Sequence, residues 1–500
     1  MESTLSSFLD TLKSLSGENQ KTPIYQRLTD GFKKAIDELA LMPGLALPST
    51  RELAKYLELS RSTIVRCYED LLAQGYIETY DGIGTFVRRK SKESKNESRE
   101  QAELKLSQTA KKMMTAKRKK LFVHDFPEMN FGCAPAELLP IKIWRQLLLK
   151  NCREFEFSKL DYGKEPFGYP PLRKALLEYL RRARAVQAEL EQLIVFPSAL
   201  YGLHLLSNLL SDQSTIVVMS DPGFAYARET FKNSSAKLLF LPTDRQGLKT
   251  GELLALAEKP DLIYLNPSQQ QPGGAMLSLS RREELIAYAT ANNALIIEDD
   301  FDCEYLHTSA QQPSIQGLSK IDNVIYLGSF WNTLYPLINA GFMLIPKSLI
   351  ETFEQAWHLT YHSFQTQFPS LEQATLAEFI EQGHLDRHLR SSSKIYSARW
   401  RALLHELNKE FSSSEIEISK EPSAFNLLLR FSPIFESEKL REAAIDADLP
   451  LLPCLEYYAF ENSAKPNEFL IPFAQFDEEQ IKSRVKTFAG IVKRVPLKQS

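Results

Sequence analysis

Seven short runs between residues 192 and 346 are almost wholly apolar: QLIVF, STIVVM, AKLLFLP, DLIYL, ALIIEDD, NVIYLGS and AGFMLIP. Each has the length of a strand and is rich in Val, Ile and Leu. A strand that is apolar on both faces must be covered on both faces. Helical stretches such as ALYGLHLLSNLLS and RREELIAYATANN separate several of the runs. Apolar strands alternating with helices specify a mostly parallel sheet with helices on either side. Further on, SEIEISKEPSAFNLLLRF followed by EKLREAAIDADLPLL reads as a smaller α+β subdomain. Residues 122–498 are therefore expected to form an α/β domain with a small C-terminal α+β subdomain.

Residues 21–89 have a different grammar. In PIYQRLTDGFKKAIDEL, Ile24, Leu28, Phe32 and Ile36 recur at helical spacing. MPGLALP is a turn punctuated by proline and glycine. Ser49 is placed to cap a second helix through TRELAKYLEL, with Glu52 completing a capping box. Ser60 is placed to cap a third, RSTIVRCYEDLLAQG, which Gly75 would end. YIETYDGIGTFVRR then reads as a β-hairpin around Asp81-Gly82, a turn pair that accepts positive φ. Two short helices joined by a tight turn and followed by a hairpin make a winged helix-turn-helix, a DNA-binding unit. Arg61, Ser62 and Thr63 open the recognition helix, where side chains meet base edges, and Arg61 can fork onto a guanine. Arg66 follows one turn on, either at the DNA or as part of a solvated face. Arg51 and the hydroxyls of Ser49 and Ser60 suit phosphate contacts. Gly82 and Gly84, with Thr85 beside them, would let the wing backbone approach the minor groove or a phosphate.

Between the two lies a polar stretch, residues 90–121, in which basic residues far outnumber acidic ones and no apolar period appears. It reads as a solvated tether, with contact to DNA phosphates as the alternative. The whole chain is 500 residues long, too long for one core, with a net charge of −3. That charge names no partner, because a local basic face can hide within a neutral total. The five cysteines are scattered and odd in number, which argues against a disulfide framework or a zinc site and fits the cytoplasm. No apolar run is long enough to span a membrane. No catalytic residue and no metal site are expected.

The head, from LPSTRELAKYLELSRSTIVRCYEDLLAQGYIETYDGIGTFV, closely resembles the GntR family of bacterial regulators. The large domain resembles the fold-type I pyridoxal phosphate enzymes of the aspartate aminotransferase class. A GntR head on such a domain is the MocR-type arrangement. The resemblance implies a sensor domain that usually binds pyridoxal phosphate and an amino-acid-related ligand. It also implies a head-to-tail homodimer on an operator with two half-sites. Its motifs run in order through this chain. YGKEPFGYPPLRKALLEYL carries Tyr162, Gly168 and Arg173. DPGFAYARETF puts Phe224 where a ring stacks on the pyridine, and Tyr226 where an arginine can bind a substrate carboxylate. LNPSQQQPGGAML keeps Pro267, Gln270, Pro272 and Gly274. IIEDDFDCEY puts Asp299 opposite the pyridine nitrogen and Phe301 in place of a tyrosine that contacts the ring oxygen.

YLGSFWNTLYPLINAGF departs from the pattern where it matters most. Ser329, Thr333, Leu334, Pro336 and Gly341 match, but Asn332 stands at the family's lysine and Asn339 at its phosphate-binding arginine. A Schiff base needs a primary amine, and an amide nitrogen is not nucleophilic. In the phosphate loop, FPSALY, with Pro197, Ser198 and Ala199, replaces a glycine-bearing segment. Pro197 has no N–H to donate. The expected pocket is aromatic and amide-rich, with Trp331 lining it or packing into the core. Pyridoxal phosphate is not expected covalently and is an unfavoured ligand altogether. The expected function is a sequence-specific DNA-binding regulator whose aminotransferase-like domain senses an unknown small-molecule effector. The alternatives are an active aminotransferase, a regulator holding the cofactor noncovalently, and a large domain serving only as a dimerisation scaffold.

Overall fold

The computed structural model describes residues 2–16, 22–80, 82–88, 107, 110–111, 134–154, 165–300, 303–306, 311–361, 368–423, 425–460, 463 and 465–494. The chain forms two compact units, 1–106 and 107–500. Asp81, Tyr162, Phe301 and nearly all of the 90–121 stretch lie outside the described residues.

The first unit contains helices α1 (Glu2–Ser16), α2 (Ile24–Asp37), α3 (Thr50–Leu57) and α4 (Arg61–Ala73). Strands β1 (Ala46–Leu47), β2 (Ile77–Tyr80) and β3 (Gly84–Val87) form an antiparallel sheet in the order β1-β3-β2. Leu28, Phe32 and Ile36 of α2 are buried with Leu53, Ile64, Leu71 and Val87 in one core, whereas Ile24, at the first helical position, is exposed. Both expected caps form. Ser49 Oγ accepts from Glu52 N while the Glu52 carboxylate accepts from Ser49 N, and Ser60 Oγ accepts from Thr63 N. Gly75, at φ +70°, ends α4. The wing connection is longer than a two-residue turn: Tyr80 pairs with Gly84, so three residues, 81–83, form the loop.

Helix α1 was not anticipated from the sequence. Its Leu12 is fully buried in the head core, and Phe8 meets Phe32 edge-on at 5.1 Å. Tyr56 Oη donates to Asp10 at 2.5 Å, and Lys13 Nζ donates to Glu58 at 2.8 Å, so α1 is fixed to α3 as well as α2. Leu12→Ala should lower the stability of the head by about 2–5 kcal/mol, the usual cost of emptying a closed leucine site. Hydrogen exchange at α2 and α3 amides in the full chain checks this.

In the second unit, α5 (Ile141–Glu154) and α6 (Pro170–Arg184) precede a sheet of eight strands. These are β4 (Leu193–Phe196), β5 (Ile216–Asp221), β6 (Lys237–Asp244), β7 (Gly247–Leu248), β8 (Leu262–Leu265), β9 (Leu295–Asp299), β10 (Val324–Ser329) and β11 (Gly341–Leu344). Their order is β4-β11-β10-β9-β8-β5-β6-β7. The pairs β10–β9, β9–β8, β8–β5 and β5–β6 are parallel. Strand β11 is antiparallel to both β10 and β4, which leaves β4 parallel to β10, and the edge strand β7 is antiparallel to β6. Helices α7 (Ala199–Leu210), α8 (Ala225–Asn233), α9 (Leu279–Asn292), α10 (Ile315–Leu318) and α11 (Trp331–Leu334) follow individual strands. Two core clusters cover the sheet, one around Leu206, Phe231, Tyr264 and Ile297, the other around Leu248, Ile263, Leu285 and Ile296. The seven apolar runs are thus all strands; six are largely buried as expected, whereas β6, next to the sheet edge, buries only Leu241.

After α12 (Ile350–Ala356) and α13 (Ser370–Glu381), the 27-residue α14 (His384–Glu410) leads into the small subdomain. There β12 (Ile416–Ile418), β13 (Asn426–Phe431), β14 (Leu452–Pro453) and β15 (Glu468–Pro472) form an antiparallel sheet in the order β12-β13-β15-β14. Helices α15 (Ser437–Asp446) and α16 (Glu478–Val492) pack on it through Leu440, Val485 and Phe488.

Candidate functional sites

On the head, Arg61 and Ser62 are exposed at the start of α4, as is Arg51 in the first turn of α3. The hydroxyls of Ser49 and Ser60 are engaged as caps, and Ser60 Oγ also lies 2.7 Å from Thr63 Oγ1 and 2.9 Å from Ser62 Oγ. Arg66 has an intramolecular partner that spacing could not reveal. Its guanidinium stacks 4.0 Å over the Tyr25 ring, and Nη2 donates to the Tyr25 hydroxyl at 3.2 Å. Gly82 and Gly84 are exposed at the wing, with Thr85 half-buried below them.

In the large unit, the carboxyl ends of β4, β5, β8, β9 and β10 all lie on one edge of the sheet. The start of the antiparallel β11 lies there too, because Ser329 pairs with Gly341 and Gly341 with Phe196. In open α/β sheets this edge is where ligands bind. The sequence motifs fall on it in turn: Ser198 and Ala199 after β4, Phe224 and Tyr226 after β5, Gln270 after β8, Asp299 at the end of β9, Ser329 and Asn332 at β10, and Asn339 before β11. A side chain at Gly341 would overlap the Ala199 backbone, so the start of α7 rests directly on the start of β11.

Individual side chains show what the edge can do. Asp299 is 3% exposed; its carboxylate accepts from the Tyr264 hydroxyl, and its carbonyl accepts from Asn266 Nδ2 at 3.1 Å. Burial pushes the Tyr264 hydroxyl well up, and the Asp299 charge adds to this, so it stays a neutral donor. Gln270 faces inward: Nε2 donates to Ser220 Oγ at 2.9 Å and to the Pro222 carbonyl at 3.1 Å, bracing the β5 and β8 loops against each other. Ser198 caps α7 through Tyr201 N at 3.2 Å. Phe224 and Tyr226 are half-buried, their rings 5.6 Å apart. Trp331 is also half-buried and stacks on Tyr335 at 3.8 Å. Asn332 is 4% exposed, Ser329 is buried, and Asn339 is half-buried. Arg173 donates to the Leu193 and Leu190 carbonyls, a packing role.

The aromatic corner is joined to the small subdomain. Gly223 N donates to the Tyr457 carbonyl at 2.9 Å, and Arg228 donates to the Glu456 and Tyr457 carbonyls. Asp221 accepts from Ala459 N at 2.8 Å and from Ser463 Oγ at 2.9 Å.

Tyr264, Asn266 and Ser220 were missed by sequence reasoning, because each acts through a neighbouring strand or loop. So was Arg184, whose Nε and Nη2 bind the Asp300 carboxylate at 2.7 and 2.6 Å. Arg184 Nη2 also donates to Ser268 Oγ at 2.8 Å, and the Tyr326 hydroxyl donates to Asp300 at 2.9 Å. Both side chains of this pair are buried. Arg184→Leu should destabilise the large unit by about 3–5 kcal/mol, because it leaves a buried carboxylate uncompensated. Adding Asp300→Leu should recover part of that loss in denaturant unfolding.

Comparison with known proteins agrees with both halves. Residues 24–87 match the family model for bacterial regulatory proteins of the gntR family, and residues 140–487 match that for aminotransferase class I and II. The chain is 31% identical over 428 residues to the probable rhizopine catabolism regulatory protein MocR of Rhizobium meliloti, covering 84% of each chain. It is 28% identical over 384 residues to the pyridoxine biosynthesis transcriptional regulator PdxR of Corynebacterium glutamicum, covering 76% of this chain and 78% of that one. Among solved structures, the kynurenine aminotransferase of Pyrococcus horikoshii superposes with a TM-score of 0.64 at 22% identity, over 76% of this chain and 98% of the enzyme. The multiple substrate aminotransferase of Thermococcus profundus gives 0.65 at 20% identity, with the same coverage. These enzymes share the fold of the large unit. No helix among the described residues is long and apolar enough to cross a membrane. With a GntR winged helix-turn-helix head on an aminotransferase-like body, the chain belongs to the MocR-type GntR transcriptional regulators.

Proposed function

We propose that this DNA-binding regulator senses a small-molecule effector at the strand-end site of its large unit, without a covalently held cofactor and without transaminase activity. The observation that carries the reading is Asn332. It is buried at the position from which the family's lysine reaches the cofactor. Its amide cannot form an imine. Among the described residues no lysine is buried, so none supplies the missing amine from inside the fold. The described residues therefore do not fit covalently held pyridoxal phosphate. A phosphate would also meet Asn339 in place of a guanidinium, losing a charge-assisted hydrogen bond of roughly 1.5–3 kcal/mol.

On this reading Phe224, Tyr226, Gln270, Asp299, Ser329, Asn332 and Asn339, with Ser198, Ala199, Tyr162 and Phe301, make the effector pocket. Arg51, Arg61, Ser62, Thr63 and the wing carry DNA recognition. The large unit makes a homodimer, so two heads engage two half-sites, and the second head gains from an elevated effective concentration. Ring-stacking and hydrogen-bonding groups with a buried carboxylate suit a planar polar ligand.

Purified protein should be colourless, and after addition of pyridoxal phosphate borohydride reduction should fix no adduct on a peptide that lines the pocket. A reduced adduct on a pocket lysine would overturn the cofactor-free reading. A thermal-shift screen of metabolites separates sensor from scaffold, since a ligand that binds only the folded state raises Tm. For the head, Arg61→Ala should weaken binding to the preferred duplex by about 1–3 kcal/mol and relax base choice at one position. Fluorescence anisotropy on duplexes varied at single positions measures both.

A further inference from the structure

The wing carries an apolar side chain at its tip that nothing in the described chain covers. Ile83 is 73% exposed, more than any other large hydrophobic residue described in the head. Hairpin tips ordinarily carry Gly, Asn or Asp, and a β-branched aliphatic is out of place there. Ile83 stands between Gly82 at φ +74° and Gly84 at φ +134°. A Cβ at Gly82 would meet nothing within 4 Å, and one at Gly84 only the Phe86 ring at 3.7 Å. Backbone conformation, not crowding, therefore requires both glycines. The consequence is bare main chain on either side of one projecting aliphatic group.

The strands beneath the tip are braced against each other. Tyr80 and Phe86 pack edge-on at 6.1 Å, and the Thr79 and Thr85 hydroxyls lie 3.2 Å apart across the strands. From Thr79 to Val87 the wing has no basic residue, and its one charged residue in the sequence is the acid Asp81. Such a tip is poorly made for pairing with phosphates. It is suited to a narrow, C–H-lined groove, which is what the sugar walls of the DNA minor groove provide. There a G·C pair differs from an A·T pair by one protruding group, the guanine 2-amino donor. An aliphatic side chain over that amino group collides with it or strips its water without offering an acceptor.

We propose that Ile83 enters the minor groove as an apolar probe and selects against the guanine 2-amino group in the base pairs beneath the wing. The proposal rests on the head binding DNA, and its test separates the two. A duplex recovered by full-length wild-type protein from a random pool is rebuilt with G·C, and then with inosine·C, at each position in turn. These two pairs present the same major-groove edge and differ only by the 2-amino group. At one or two positions flanking the recognition-helix contacts, wild type should bind the inosine duplex about tenfold more tightly than the guanine duplex, within the range for a single base-pair change. Ile83→Ser, whose hydroxyl can accept from the amino group, should bring that ratio to below about twofold. Its Tm should match wild type, because the side chain is exposed. Equal wild-type binding to G·C and inosine·C at every position overturns the proposal, as does an unchanged ratio in Ile83→Ser. Failure of wild type to enrich any sequence would overturn the DNA-binding reading and this proposal with it.

Discussion

One guanidinium ties together the edge of the large sheet on which the candidate site is built. Arg184, in the last turn of α6, bonds Asp300 just past β9, Ser268 past β8 and the Gln312 carbonyl before α10. Tyr326 of β10 adds its hydroxyl to the same carboxylate. The helix layer and three adjacent strands are thereby fixed through one buried ion pair. Such a pair adds little net stability relative to apolar packing, but breaking it is costly, so it acts mainly to specify geometry. A second pair lies alongside. Glu298 accepts from Ile315 N and Gln316 N at 2.8 and 2.9 Å, while Arg282, 3.6 Å away, gives its hydrogens to the Leu277, Pro313 and Pro267 carbonyls. Burial, with the neighbouring Asp300 charge, pushes the Glu298 carboxyl up to about 7 despite that arginine. Of the three consecutive acids at and just past the end of β9, two are committed to holding the fold. Asp299 is the one that lies on the candidate site.

Much of this was legible in the sequence, for physical reasons. Strands buried on both faces cannot hide their composition, and all seven apolar runs became strands. Caps are local, so Ser49, Glu52 and Ser60 announced themselves within four residues. The order of motifs along the chain was enough to bring Ser198, Phe224, Gln270, Asp299, Asn332 and Asn339 to one edge, because in a parallel sheet every carboxyl end lies on the same side. Contacts across strands were not legible. Tyr264 meets Asp299 only because β8 and β9 pair in a particular register, and nothing in either strand states that register. Arg184 and Asp300 are 116 residues apart. Arg66 read as a DNA contact or a solvated face because its distance to Tyr25 depends on how α2 and α4 cross. Helix α1 was missed because it precedes the segment read as the head, and its apolar side chains have meaning only against residues such as Phe32.

Asn332 sits in a braced framework. Strand β10 ends in Ser329, whose hydroxyl accepts from Trp331 N at 3.0 Å and so starts the short helix α11. At the other side, His388 of α14 donates from Nε2 to the Thr333 carbonyl at 3.0 Å, the tautomer its acceptor requires. Burial lowers the affinity of that imidazole for a second proton, so the bond is that of a neutral ring. Residue 332 is thus held between two side-chain-to-backbone bonds that do not involve its own side chain. The backbone at Asn332 is held from both sides, and on the proposed reading the phosphate-binding guanidinium and the nucleophile are both absent. A framework kept for catalysis would have no use without them. A framework kept for shape, in which bound ligand and packed small subdomain favour one arrangement of the edge, needs the rigidity and not the amine. The bonds from Asp221, Gly223 and Arg228 to Glu456, Tyr457, Ala459 and Ser463 join the aromatic corner to the small subdomain. On the proposed reading, the geometry at Asn332 serves recognition and not chemistry.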